Sequence, residues 1–207
     1  MRIVSCEQGS EIWQKSRIGL ITASKFRDAT ETLKNGNPTA KSTLYAAQVA
    51  IERISGQPCN EGYNSWQMQR GQAKEPMGRM EYEVATGNIA SESGVCISDD
   101  SLFGYSSDGL VGDDGLIEIK SIVSAIGVLE MWRDGDISEY MHQIQGGMWI
   151  TGRKWCDFVM YCPQLEPIGK QMFIKRVDRD ESFIEDMDQK LFRFAAIVKT
   201  NELILRN

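Results

Sequence analysis

At 207 residues the chain is long enough for one domain spanning residues 1–207, and a domain of this length buries about 70% of the surface its unfolded form exposes. A net charge of −6 excludes a protein that coats nucleic acid nonspecifically, but leaves room for a local basic channel within an acidic exterior. No apolar run approaches membrane-spanning length and the N-terminus lacks an apolar signal segment, so a cytoplasmic protein without membrane contact is expected.

Residues 10–17 predict a short helix capped by Ser10, broken at Ile18-Gly19, with a second short helix starting at Thr22. Asn35 to Pro38 predicts a loop. From Thr39 to Ser55 the apolar residues Leu44, Ala47, Ile51 and Ile54 fall on one helical stripe stopped by Gly56, and this stripe is expected to face the core. After a loop over 57–65, a helix is expected from Trp66 to Ala85, kinked near Pro76 and stopped by Gly87. Ile89–Ile97 and Ser101–Ser106 predict strands. Short and longer helices follow over Val128–Arg133 and Ser138–Thr151. Lys154–Tyr161 and Lys170–Val177 predict two more strands. Ser182 is expected to cap a last helix, with Phe183, Met187, Leu191, Phe194 and Val198 as its apolar stripe. The sum is an α/β protein with a central mixed β-sheet flanked by helices.

The five cysteines (Cys6, Cys59, Cys96, Cys156, Cys162) include no Cys-x-x-Cys, so a zinc ribbon is not expected and reduced thiols are. The single histidine, His142, excludes a two-histidine zinc motif. The chemistry is instead concentrated in residues 105–120. Leu116–Lys120 alternates apolar and charged residues, the period of a strand with one buried face, and Gly112-Asp-Asp-Gly115 is turn chemistry. Leu110–Val111 is therefore expected to pair back onto that strand and bring Asp108 beside Glu118. Glu118 and Lys120, two apart, leave the same face. Two carboxylates that close repel unless a cation neutralises them, and hard oxygen ligands suit Mg²⁺ or Mn²⁺. An ordinary charged hairpin has the same pattern, so spacing alone leaves both readings open.

Four stretches carry a more specific signal. They are Trp13-Gln-Lys-Ser-Arg17-Ile-Gly-Leu-Ile-Thr-Ala-Ser24, Arg70-Gly71-Gln-Ala-Lys-Glu75, Ser106-Ser-Asp108-Gly109 through Glu118-Ile-Lys120, and Tyr140-Met-His-Gln143-Ile-Gln145-Gly-Gly-Met-Trp149. In this order they resemble the phage λ exonuclease, or YqaJ-type viral recombinase, branch of the PD-(D/E)XK nucleases. That resemblance implies a restriction-endonuclease-like fold and hydrolysis of linear double-stranded DNA. It implies that Asp108, Glu118, the Ile119 carbonyl and Glu75 hold Mg²⁺, with Mn²⁺ as a substitute. Lys120 would orient or activate water and stabilise charge on the phosphate, and Gln143 would position water or a neighbouring group. Arg17, Ser24 and Ser106 match positions that contact a terminal 5′-phosphate, and an arginine fork with hydroxyl donors suits that anion. A single-strand annealing protein and a homotrimeric ring are the implied partners. His142, inside the last motif, is expected to be a bystander.

The sequence also departs from the family pattern. Ser107 stands where a proline is frequent, Ser121-Ile122 where Cys-Pro is frequent, and Val123–Ile126 supplies no basic residue to the phosphate pocket. Trp66 and Met68 lie where an apolar wedge could part the strands. The alternatives are an endonuclease or repair nuclease of the same superfamily, and a non-catalytic DNA-end-binding scaffold. The intact Glu75, Asp108, Glu118 and Lys120 set argues against the scaffold.

Overall fold

The computed structural model describes residues 1–59, 66–122 and 124–207, with backbone alone for 66–73. The expected wedge side chains, Trp66 and Met68, lie outside the described side chains. Two mixed sheets are present rather than one. The larger runs in the order β3 (Ala90–Ser91), β6 (Gly109–Val111), β7 (Gly115–Lys120), β8 (Trp155–Tyr161) and β9 (Met172–Asp178). Only β7 and β8 are parallel; the other pairs are antiparallel. A parallel pair needs a crossover, and here it contains α5 (Ala125–Asp134) and α6 (Met141–Thr151). The smaller sheet joins β1 (Arg2–Val4), β4 (Val95–Ile97), β5 (Phe103–Tyr105) and β2 (Ile21–Thr22), with β2 parallel to β5. β1 was not foreseen: three residues are too few to display a period.

The hairpin forms as its turn chemistry predicts. Gly109 pairs with Ile117, Leu110 with Leu116 and Val111 with Gly115, and one step further along this register sets Asp108 opposite Glu118. The expected half-exposed strand is not what forms. All of β7 from Gly115 to Ile119 is buried, because it is a central strand covered on both faces. Ile117 and Ile119 pack with Tyr82 of α4 (Trp66–Thr86), while Leu116 joins the main core. The charged residues on β7 therefore sit in the interior, where a carboxylate must be compensated.

Two helix starts follow their sequence signals. Ser10 Oγ accepts from Trp13 N (3.2 Å) to open α1 (Glu11–Arg17), and Thr39 Oγ1 accepts from Ser42 N (3.2 Å) to open α3 (Ala40–Ser55). α7 (Glu181–Arg206) starts before the expected Ser182. Asp180 is the cap, accepting from Phe183 N at 3.0 Å, and the Ser182 hydroxyl bonds back to it. α4 runs through Pro76 and stops at Gly87, whose φ of 73° few other residues tolerate. Pro76 lies on the exposed side, where solvent can replace the missing N–H bond.

The stripe expected to bury α3 is the exposed one, with Leu44 61%, Ile51 42% and Ile54 38% accessible. The helix instead buries Ser42, Ala46, Val49 and Ala50. Small residues let α3 lie close to α2 (Phe26–Thr30) and α7, with Ser42 Oγ donating to Ala29 O (3.1 Å) and Tyr45 stacked on Phe194. Close approach outweighed side-chain size. On α7, Met187, Leu191, Phe194 and Val198 are buried as expected, joined by Ile184, while Phe183 is only partly covered. All five cysteines are free thiols.

Candidate functional site

A cleft of about 700 Å³ opens at the junction of the two sheets. It is lined by residues from five separate stretches, including Trp13, Arg17, Ser24, Glu75, Ser106, Asp108, Glu118, Ile119, Lys120 and Gln143. Every residue singled out from the sequence for metal, catalytic or phosphate contact therefore lines one cavity.

The floor is the β6–β7 hairpin. Asp108 Oδ2 accepts the Ile119 amide at 2.6 Å, which fixes the carboxylate against the strand. Lys120 Nζ lies 2.6 Å from Glu118 Oε1 and 3.3 Å from Gln143 Oε1, and Gln143 Nε2 also donates to Glu118. Tyr105 donates its hydroxyl to the second Glu118 oxygen at 3.3 Å. Glu118 is 1% exposed and is thus held by a cation, an amide and a phenol. Glu75 reaches the cleft from α4, and Gln8 Nε2 donates to its Oε2 at 3.0 Å.

Electrostatics follow from this crowding. Burial raises the Asp108 carboxyl well above the usual carboxylate range, and the charges of Glu118 and Glu75 push it the same way. Glu75 is pushed up to about 7, chiefly by burial, with Arg79 opposing and Glu118 adding to the rise. Burial by itself would lower Lys120, but Glu118 and Asp108 overcome it and the ammonium is held more firmly than in water. With three carboxyl groups facing one lysine in a poorly solvated place, Asp108 and Glu75 hold their protons more tightly than free carboxyls do, and a bound cation would take the place of those protons. That donor set, hard oxygens only, fits a divalent cation of the Mg²⁺ type. In the arrangement present, Asp108 and Glu118 are engaged by the Ile119 amide, Lys120 and Gln143. Among the described residues, no three acidic, histidine or cysteine side chains are close enough to share one ion.

The wall of the cleft is built by α1 and the end of β5. Trp13 and Arg17 are four residues apart, about one helical turn, and so share a face. Both reach Ser106: Trp13 Nε1 at 3.0 Å and Arg17 Nη1 at 3.1 Å from its Oγ. The Arg17 guanidinium also lies over the indole ring, 4.2 Å from the centroid. Ser24, in the 3₁₀ turn after β2, is paired with Thr22 Oγ1 at 3.4 Å. Among the described residues lining the cleft, Arg17 and Lys120 are the only cations.

The paired glutamines of the last motif separate into two jobs. Gln143 faces Glu118 and Lys120, whereas Gln145 is fully buried, donates to Asp178 O (2.9 Å) and accepts from Asp180 N (3.0 Å). Gln145 thus ties β9 to α7. Gly147 lets α6 close down on β5, since a Cβ there would lie 2.6 Å from Tyr105 Cζ. His142 packs edge-on to Phe183, away from the cleft. Ser107, in place of the frequent proline, is buried and pairs with Ser93 Oγ at 3.1 Å. Sequence reading did not single out Gln8 or Tyr105. Gln8 lies outside every motif, and an aromatic in a short strand resembles any core residue.

Two mixed sheets flanked by helices, with Glu118 and Lys120 on the central strand β7 and Asp108 just before its partner β6, form a restriction-endonuclease-like α/β fold. A family model for the YqaJ-like viral recombinase domain matches residues 12–154, and the chain belongs to that family. The crystal structure of an alkaline exonuclease (LHK-Exo) from Laribacter hongkongensis is similar at 35% identity, over 95% of this chain and 96% of that one, with a TM-score of 0.84. LHK-Exo in complex with dAMP is similar at 34% identity over 95% and 96%, with a TM-score of 0.85. A phage-related exonuclease from Haemophilus somnus 129PT, 16% identical over 90% and 95%, shares the fold with a TM-score of 0.69. No curated relative matches the chain. Among the described residues, no helix is long and apolar enough to cross a membrane.

Proposed function

We propose that the protein is a Mg²⁺-dependent exonuclease that degrades the 5′-ended strand of linear double-stranded DNA to mononucleotides and leaves a 3′ overhang. One observation carries the reading: Glu75, Asp108, Glu118, Lys120 and Gln143 share a single cleft with Arg17, Ser24 and Ser106. Its similarity to LHK-Exo, an exonuclease also described in complex with dAMP, supports a nucleoside monophosphate as product.

Asp108, Glu118, Glu75 and the Ile119 carbonyl would hold the cation. When bound, a divalent ion offsets the charge of the phosphodiester and acidifies water at neutral pH. Lys120 offers fixed positive charge beside Glu118 and Gln143, suited to orienting water and to stabilising charge that develops on the phosphate. The Gln143 amide holds its partners without titrating. Arg17, Ser106 and Ser24 receive the terminal 5′-phosphate along the wall, one charged fork and two hydroxyls against a dianion.

An acidic subunit holds DNA poorly by charge alone, and a homotrimeric ring would replace that affinity by enclosure. Exposed apolar stripes, Met77, Met80 and Val84 on α4 and Leu44, Ile51 and Ile54 on α3, support self-association. The proposed setting is phage-type recombination in a bacterial cytoplasm, with a single-strand annealing protein receiving the overhang. Linear and covalently closed duplexes incubated with Mg²⁺ test the reading. Loss of the linear form alone is expected; cutting of the closed form would make the protein an endonuclease.

A further inference from the structure

Ser106 sits at a point where hydrogen-bonding capacity can be counted. A serine hydroxyl has two acceptor lone pairs and one hydrogen to donate. The indole N–H of Trp13 and the guanidinium of Arg17 can only donate, and both are aimed at this oxygen, at 3.0 and 3.1 Å. With both lone pairs taken, the Ser106 hydroxyl has no acceptor capacity left. Its hydrogen is confined to the remaining tetrahedral direction, and among the described residues no acceptor takes it. Ser106 lines the cleft.

We propose that Trp13 is a positioning residue: with Arg17 it turns Ser106 into an obligate donor aimed at the terminal phosphate. The inference rests on the phosphate-pocket reading above and deepens it. A phosphate oxygen is acceptor-only, so it matches a preset donor without reorganisation. A 5′-hydroxyl end leaves that donor unmatched, and unpaired polar groups in a half-buried place are costly. Trp13 is suited to the task because its ring is anchored. It packs against the Leu20, Val95 and Ile97 cluster while the guanidinium of Arg17 covers it. One residue thereby fixes both the hydroxyl and the arginine fork. The four-residue spacing from Trp13 to Arg17 supplies the geometry, since one helical turn brings both to the same oxygen.

Trp13→Phe keeps the ring and deletes the N–H, so the released lone pair lets Ser106 rotate. The ratio of kcat/KM for 5′-phosphorylated over 5′-hydroxyl duplex is expected to fall about tenfold, the scale of one charge-assisted hydrogen bond, mostly through KM. In a Ser106→Ala background the same substitution should change that ratio no further. A second readout uses the unmutated fold: the Trp13 indole N–H resonance, assigned by its loss in Trp13→Phe, should shift on saturation with inorganic phosphate. In Ser106→Ala it should stay put. Equal loss at both ends, an unchanged ratio, or additive effects of the two substitutions would overturn the positioning role while leaving the phosphate pocket intact. If the unmutated protein cuts both ends at equal rates, the pocket reading fails and takes this inference with it.

Discussion

Tyr82→Phe tests whether α4 is held in place from behind the cleft. Tyr82 is fully buried, and its hydroxyl donates to Asp157 Oδ2 at 2.7 Å. The same carboxylate accepts Arg176 Nε and Nη2, each at 2.8 Å, and Arg176 lies 3.7 Å over the Trp155 ring. Deleting the phenolic oxygen removes one of three donors from a carboxylate that is 3% exposed. Hydrogen bonds to charged groups contribute roughly 1.5–3 kcal/mol. Arg176 still neutralises Asp157, so the loss should be near the middle, about 2 kcal/mol. At roughly 2–4 °C per kcal/mol for a chain of this size, Tm should drop by about 4–8 °C.

pH gives the same network a second signature. Burial and the bond to Asp157 push the Tyr82 hydroxyl up to about 12 from 10. A raised folded value means the folded state keeps its proton longer. The contribution is therefore whole below pH 10 and is lost as pH rises toward 12. Urea unfolding across that range should show a steeper alkaline decline in the unmutated protein than in Tyr82→Phe. A stability change below about 0.5 kcal/mol at pH 7, the ordinary range for surface substitutions, would show that the Tyr82–Asp157 bond does not hold α4 in place. Glu75 lies seven residues, about two turns, before Tyr82 on α4, so the variant should also raise the Mg²⁺ concentration needed for half-maximal cleavage.

Three further outcomes follow. Asp108→Asn and Lys120→Ala should each cut nucleotide release by about 10²- to 10³-fold in initial-rate assays; release that survives both would remove these residues from the chemistry. Arg17→Ala should diminish the preference for 5′-phosphorylated over 5′-hydroxyl ends more than it diminishes Mg²⁺ affinity, measured by calorimetry beside end-specific rates. Gly147→Ala should destabilise by about 1–3 kcal/mol, as overpacking does, because its Cβ would press 2.6 Å from Tyr105 Cζ. A melting curve unchanged in that variant would show that α6 and β5 are not in close contact.

The chemistry of this protein was legible in its sequence to different depths. Turn residues and alternation foretold the hairpin, and with it the approach of Asp108 to Glu118. Motif resemblance, not periodicity, pointed to Glu75, Gln143, Arg17 and Ser106, which lie up to 126 positions apart in the chain, the span from Arg17 to Gln143, and meet only through the fold. The α3 stripe misled because helical period identifies a face but not which face is covered. Ser42, Ala46 and Ala50 were chosen for close approach, which a count of large apolar residues cannot register. The burial of Glu118 was hidden for a related reason: a charged residue on an alternating strand reads as solvent-facing until a helix is known to cover it. In the smaller sheet, β4 and β5 fall within the strands expected over Ile89–Ile97 and Ser101–Ser106, whereas β1 and β2, three and two residues long, are too short to show a period.

We propose that one cleft carries out metal-dependent removal of nucleotides from a DNA 5′-end. Linear duplexes labelled at either the 5′- or the 3′-terminus, followed over time with and without Mg²⁺, test it most directly. Early appearance of labelled mononucleotide is expected from the 5′ label, progressive shortening without early mononucleotide from the 3′ label on the opposite strand, and neither after chelation. Early mononucleotide from the 3′ label, or undiminished release in a chelator, would contradict it.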